Sequence, residues 1–116
     1  MTEKNHPIRT EEVREFLERY LVYKKMLNGN RYARLYLGAE SDADGNDEAF
    51  FRARMHAVRH FINHLPDCRE KMLLYYRYLQ GYPVEKCAEI LEVSRRTAFR
   101  IAADALRLAA DNFHEG

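Results

Sequence analysis

The 116-residue sequence has no long hydrophobic run and only two cysteines. Its longest apolar run is far shorter than the roughly 20 residues of a membrane-spanning helix, so we expect no membrane segment. The first residues, MTEKNHPIRTEE, lack the apolar core of a secretory signal, which predicts a cytoplasmic protein. Cys68 and Cys87 do not make a disulfide framework, and we expect both to be small buried hydrophobic residues.

Recognisable catalytic signatures are also missing from the sequence. It contains no glycine-rich phosphate loop, no serine or cysteine nucleophile within a known pattern, and no carboxylate pair that stands out from ordinary surface acids. We therefore expect no enzymatic activity and no cofactor. The length suits one compact domain, or one domain with a helical arm.

Charge is nearly balanced over the whole chain but unevenly distributed along it. The formal net charge is +1, yet residues 39–50 carry five acidic side chains and no basic one. The stretch GAESDADGND, residues 38–47, is rich in Gly, Ser, Asp and Asn, which is typical of a linker or loop. We therefore predict an N-terminal helical arm over 1–38, an acidic linker over 39–46 and a helical domain over 47–116.

The remaining sequence predicts an all-α protein, because apolar residues recur at spacings of three and four without strict alternation. We expect Thr10 to cap the first helix, and Asn28-Gly29-Asn30 either to end that helix or to bend it. Asp47 opens a helix that Pro66 closes, and a third helix runs from about Asp67 to Gln80. The expected apolar faces of these helices include Val13, Leu17, Tyr20, Val58, Ile62, Leu65, Met72, Leu73 and Leu79, and Gly81 is a natural residue after the third helix.

The C-terminal region has the spacing of a helix-turn-helix, which we place at about 84–108. A short helix, VEKCAEILE, is separated by a very short link from a second helix that Ser94 opens. Ala88 supplies the small residue needed where two steeply crossing helices touch. The Ser94 side chain can accept a hydrogen bond from an amide of the following helix.

The second helix of this motif has one apolar and one basic face. With 100° per residue, Arg96, Arg100 and Arg107 lie about 160° to 200° from Ala98. An arginine fork can contact guanine O6 and N7, and Phe99 either touches a thymine methyl group or packs against a neighbouring helix. The predicted contacts with double-stranded DNA are Ser94, Arg95, Arg96, Thr97, Phe99, Arg100 and Arg107.

Residues 65–106, LPDCREKMLLYYRYLQGYPVEKCAEILEVSRRTAFRIAADAL, resemble region 4 of sigma-70-type transcription factors and related small regulators of bacteria and phages. The resemblance rests on Leu65-Pro66, Tyr76-Arg77-Tyr78, Gly81, Ala88-Glu89-Ile90-Leu91 and Val93-Ser94-Arg95-Arg96-Thr97. It covers about a third of the chain, and residues 1–64 contain no other recognisable sigma region, which favours a small stand-alone regulator. The resemblance implies that the helix beginning at Ser94 inserts into the major groove.

Two positions depart from the family pattern. Glu92 occupies the turn position where such motifs usually have glycine, and a left-handed conformation there costs a residue with a Cβ roughly 1–2 kcal/mol. The sequence therefore predicts a distorted turn. Pro83 stands where the family commonly has a capping serine or threonine, although proline is acceptable in a first helical turn.

Other functions remain open at the level of sequence. The aromatic-bearing helix over 10–27 could form a homodimer, or the chain could be an adaptor that binds RNA polymerase or another regulator without reading DNA. His56, His60 and His64 share helical spacing with Cys68, which would suit a metal sensor. Because these histidines fall away from the apolar face and Pro66 interrupts the helix before Cys68, we expect surface histidines and no bound metal.

Overall fold

A computed structural model of the chain describes residues 7–36 and 45–113, and within these ranges it consists of helices and their connections, with no strand. This confirms the all-α expectation. The elements are α1 (Pro7–Tyr36), α2 (Gly45–Asn63), α3 (Arg69–Leu74), a π-helical segment (Tyr75–Leu79), α4 (Val84–Leu91) and α5 (Arg95–Asp111). Neither described range contains a helix with both the length and the apolar character needed to cross a bilayer.

Helix α1 is longer at both ends than the sequence suggested. It begins at Pro7, so Thr10 lies inside the helix and the prediction that Thr10 caps it is wrong. Proline is favoured at a first helical position, because its missing N–H has no helical partner there anyway. The helix then continues through Gly29 to Tyr36 without a break. Of the two alternatives at Gly29, termination is therefore excluded.

Contacts with α2 explain why α1 continues past its glycine. The Tyr23 ring stacks on Phe51 at 5.2 Å between centroids. One turn beyond Gly29, Arg34 Nη1 donates to Glu48 Oε2 over 2.7 Å. A helical glycine costs about 1 kcal/mol relative to alanine, and contacts on both sides of it offset a penalty of that size.

One hydrophobic core joins the first half of α1 to the C-terminal helices. Val13 and Leu17 of α1 are fully buried in the same cluster as Ile62 of α2 and Ile101 of α5. Arg9 Nη1 also donates to the Phe113 carbonyl over 2.7 Å, which ties the start of α1 to the end of the described chain. This half of the predicted arm therefore packs as part of the C-terminal bundle. In the predicted linker, residues 45–46 begin α2, and residues 39–44 lie outside the described residues.

The third predicted helix is divided into α3 and the π-helical segment. Leu73 and Leu74 fill the core here, whereas Met72 is 48% exposed, so the prediction that Met72 is buried is wrong. The adjacent leucines already occupy the inward side, and Met72 points about 100° away from Leu73. Gln80 N–H donates to the Tyr75 carbonyl five residues back, which gives this turn its wider π geometry.

Gly81 ends the π-helical segment in a conformation that favours glycine. Its φ is +79°, and an added Cβ would lie 3.3 Å from Leu21 Cδ1 of α1. The backbone conformation therefore favours glycine, and an added Cβ would also displace the Leu21 side chain by a few tenths of an ångström. Gly29 is the opposite case, since it has helical geometry and an added Cβ would meet nothing within 4 Å.

The same substitution at these two glycines should change stability in opposite directions. Gly29→Ala should raise the free energy of unfolding by about 0.5–1 kcal/mol, because alanine is the better helix former. Gly81→Ala should lower it by at least about 1–2 kcal/mol, because a left-handed alanine is strained. Urea denaturation of both variants at low protein concentration measures this. Equal destabilisation at both positions would contradict the continuous α1.

Candidate nucleic-acid interface

The link between α4 and α5 is a compact turn built around Glu92. Glu92 has φ 58° and ψ 46°, which lies in the left-handed region, so the prediction of a distorted turn is wrong. Val93 N–H donates to the Ala88 carbonyl over 3.0 Å, and Glu92 N–H donates to the Glu89 carbonyl over 3.2 Å. These two bonds are the pair that defines a Schellman helix end. The turn is therefore strained at one residue but regular in its hydrogen bonding.

Ser94 caps α5 as the sequence predicts. Its backbone is extended, and its Oγ accepts a hydrogen bond from the Thr97 N–H over 3.1 Å. The Ser94 hydroxyl donates in turn to Thr97 Oγ1 over 2.9 Å. Because Thr97 Oγ1 is the acceptor in that bond, its own proton remains available to an external acceptor such as a phosphate oxygen.

Helix α4 starts without a side-chain cap. Pro83 occupies the N-cap position in an extended conformation, and its carbonyl accepts from the Lys86 and Cys87 N–H groups over 3.0 and 3.1 Å.

Cys87 is fully buried as expected, and this burial raises the pKa of its thiol. Cys68 is only partly buried at the start of α3, so the expectation of a buried residue is wrong there.

The inward face of α5 is made almost entirely of alanine. Ala98, Ile101, Ala105 and Ala109 have no exposed surface, in agreement with the helical projection. Helix α5 contacts α1, α3 and α4 through this side. Alanine adds only one carbon beyond the backbone, so three neighbouring helices can lie close to the α5 axis. This burial fixes which side of α5 faces outward.

Two arginines on the outer face of α5 are exposed and unpaired. Neither Arg96 nor Arg100 makes an ion pair or a hydrogen bond with the described part of the chain. They are four residues apart and therefore neighbours on one side of the helix, at roughly 5–6 Å between Cβ atoms. Ala103 is exposed farther along α5, and its small side chain projects little from the helix surface.

The other two arginines of the predicted set have acidic partners. Arg95 Nη2 lies 3.0 Å from Glu85 Oε2 on α4, and its guanidinium lies 5.7 Å from the centre of the Phe99 ring. Phe99 is 46% exposed, so the alternative in which it packs against a neighbouring helix is not observed. Arg107 forms an ion pair with Asp104 one turn earlier on α5.

Sequence reasoning missed both acidic partners. Asp104 could have been found, since acidic and basic residues three apart on a helix are neighbours. Glu85 could not, because it reaches Arg95 only once the turn at Glu92 has brought α4 and α5 together. The predicted set therefore consists of two free arginines, two paired ones, a surface aromatic ring and a capping pair of hydroxyl residues.

His56 and His60 of α2, and His64 directly after its end, are exposed, as expected for surface residues. The ring centroids of His60 and His64 are 4.0 Å apart, and those of His56 and His60 are 5.9 Å apart. Within the described ranges, no group of three or more His, Cys, Asp or Glu side chains is arranged to hold a metal ion.

No protein-family model matches the chain, and no curated protein or solved structure is significantly similar to it.

Glycine substitutions at the turn residue, Glu92, and inside α4 test the geometry of the turn. Glu92→Gly should stabilise the protein by about 1 kcal/mol, because glycine adopts the left-handed conformation without the roughly 1–2 kcal/mol penalty but loses more entropy on folding. Glu89→Gly is the matched control and should destabilise by about 1 kcal/mol, since it places glycine inside α4. Chemical denaturation of the two variants gives both values. Destabilisation by Glu92→Gly would mean that Glu92 is not left-handed in solution.

Proposed function

We propose that this protein is a sequence-specific regulator of transcription that binds double-stranded DNA through a helix-turn-helix formed by α4 and α5. In this proposal α5 enters the major groove and reads base edges from its first turns. The protein acts as a small stand-alone cytoplasmic regulator without enzymatic activity or a cofactor. The resemblance of residues 65–106 to region 4 of sigma-70-type factors supports this assignment, and RNA polymerase is the protein partner that it suggests.

The observation that carries the proposal is the pair of unpaired arginines opposite the buried alanine face. Arg96 and Arg100 project from the side of α5 that no other described helix covers, while Ala98 and Ala105 hold the opposite side in the core. A helix fits the major groove, which is about 12 Å wide, and contacts bases mainly through its N-terminal residues. Arginine is the side chain best suited to guanine, because its fork matches O6 and N7 together.

The remaining predicted residues suit contacts with the DNA backbone. Ser94 and Thr97 lie at the N-terminus of α5, where amide groups and hydroxyl protons favour phosphate oxygens. Arg95 would exchange Glu85 for a phosphate or a base, and exposed ion pairs are worth only about 0–1 kcal/mol, so this exchange is inexpensive. Arg107 lies farthest along α5 and is already neutralised by Asp104, which makes it the weakest contact of the set.

Arginine substitutions on α5 test base readout. Binding sites are first selected from a random pool of duplex DNA, and affinities for the selected site are then measured by fluorescence anisotropy. Arg96→Ala or Arg100→Ala should cost about 1–3 kcal/mol of specific affinity where the arginine contacts a guanine. Arg52→Ala removes an exposed arginine of α2 and should leave the affinity unchanged. Full affinity in both α5 variants would contradict this assignment.

Salt dependence tests the electrostatic part of the mechanism. Affinity for random duplex DNA should fall steeply with salt, since each neutralised phosphate contributes a slope of about −0.9 in a plot of log K against log salt. Arg107→Ala should barely change this slope. Asp104→Asn should tighten non-specific binding, because it removes a negative charge and releases Arg107.

The same titration separates DNA binding from the competing adaptor function. An adaptor that binds RNA polymerase or another regulator without reading DNA would cause no change in the anisotropy of any DNA duplex, even at low salt. That result would overturn the proposed function. Binding at low salt without a selected consensus would support a non-specific DNA-binding protein and remove the sequence-specific part.

A further inference from the structure

The second half of α1 carries an uncharged stripe on its outer side. We call it the α1 stripe, and it contains Val22, Met26, Gly29, Ala33 and Tyr36. Val22 is 52% exposed, Met26 is 46% exposed and Tyr36 is 71% exposed. The spacings of four, three, four and three residues keep all five within about 40° of one line along the helix. Such a line is typical of a seam between two packed helices.

The α1 stripe is separate from the face that packs on α2. Tyr23 and Arg34 face α2, where they contact Phe51 and Glu48, and they lie about 100° around the helix from the stripe. Lys24 and Arg31 lie about 180° to 200° from it. Helix α1 therefore has a second apolar face. Lys25 is exposed and lies about 60° from the line of the stripe, so one cation flanks this face.

The stripe begins sharply, which distinguishes it from a general excess of surface apolar residues. Along the same line of α1, the preceding positions are Glu11, Glu15 and Glu18, all of them exposed. From Val22 onward the line contains no charged residue through Tyr36. The change coincides with the end of the α1 segment that packs in the core, since Tyr20 is its last buried residue.

The residues of the stripe fit a second copy of themselves. If two α1 helices cross antiparallel with Gly29 at the two-fold axis, Met26 of one copy lies beside Ala33 of the other, and Val22 lies beside Tyr36. Large side chains thus meet small ones near the axis, and each contact occurs twice, as an isologous interface requires. Gly29 has open space around it, which lets the two backbones approach closely.

The size of the exposed surface suits a weak dimer. Val22, Met26, Tyr36 and the adjacent Tyr32 leave on the order of 450 Å² exposed per copy, and a biological interface should exceed about 1,000 Å² summed over both partners. Complete burial of this surface in both copies would sum to about 900 Å², which is below that threshold and in the range of weak, transient interfaces. The stripe itself carries no charge, and its flanking cation, Lys25, would lie beside Ala33 of the other copy, where the aliphatic stem can cover apolar surface while the ammonium group stays in solvent.

We propose that the α1 stripe is a homodimer interface in which two copies of α1 cross antiparallel at Gly29. This inference does not depend on DNA binding. If both proposals hold, the dimer presents two α5 helices to two half-sites, and the selected DNA consensus is palindromic.

Sedimentation equilibrium of the full chain over a range of concentrations tests the dimer. We expect a reversible monomer–dimer equilibrium with a micromolar dissociation constant. Met26→Glu should weaken it at least tenfold, because it places a charge in the seam. Lys24→Glu changes a charge on the far side of α1 and should leave the dissociation constant unchanged. A monomer at every concentration, or a dimer that Met26→Glu does not weaken, would overturn the proposal.

Gly29→Gln separates association from folding. Glutamine is a better helix former than glycine, so the monomer should become more stable, whereas the longer side chain at the axis should weaken the dimer at least tenfold. A purely structural role of Gly29 would change stability alone. Unfolding measured at low concentration and sedimentation measured at high concentration report the two effects independently.

Engineered cysteines test the antiparallel direction in a Cys68→Ser background. Because a disulfide needs Cα atoms about 4.4–6.8 Å apart, Met26→Cys alone should crosslink poorly, and a mixture of Met26→Cys and Ala33→Cys proteins should form the mixed dimer on oxidation. Efficient crosslinking of Met26→Cys with itself would indicate parallel helices and overturn the proposed arrangement.

Discussion

The close packing of the alanine face of α5 is the constraint on which the rest of the structure depends. Ala98, Ala105 and Ala109 are completely buried, and Ile101 is the one large residue between them with the same burial. Larger side chains at the alanine positions would push α1, α3 and α4 away from α5, because protein interiors are packed to near crystalline density. The same burial leaves the opposite side of α5 exposed. Core packing and the candidate interface are thus two consequences of one helix orientation.

The turn at Glu92 shows how this packing tolerates local strain. A left-handed glutamate is unfavourable in isolation, yet the Ala88 and Glu89 carbonyls receive their hydrogen bonds and Val93 packs against the core. The packing of α4 against α5 fixes the backbone on both sides of Glu92. The left-handed conformation at Glu92 connects the two helices without loss of this packing. Strain of about 1–2 kcal/mol at one residue is small beside the burial of Cys87, Ala88 and Ile101 that it permits.

The features that the sequence predicted correctly are those determined within one or two helical turns. Ser94 as a cap, the inward alanines and outward arginines of α5, and Gly81 as the residue that follows the third helix all follow from local spacing and residue type. The failure at Thr10 is local, whereas the other failures involve residues distant in sequence. Thr10 did not become a cap because α1 extends back to Pro7. The exposure of Met72 and the pairing of Glu85 with Arg95 depend on how helices pack together, which one helix projection does not contain.

The acidic partners of α5 have a consequence for selectivity in the proposed complex. The net charge of the chain is only +1, so in that complex attraction to DNA would arise from a few side chains and not from an overall field. Glu85 and Asp104 pair with Arg95 and Arg107, whereas Arg96 and Arg100 have no ion-pair partner among the described residues. These pairs would reduce non-specific attraction to phosphates and would leave Arg96 and Arg100 available for the proposed base contacts. Acidic residues beside a reading helix can therefore raise the ratio of specific to non-specific binding, although they lower the total affinity.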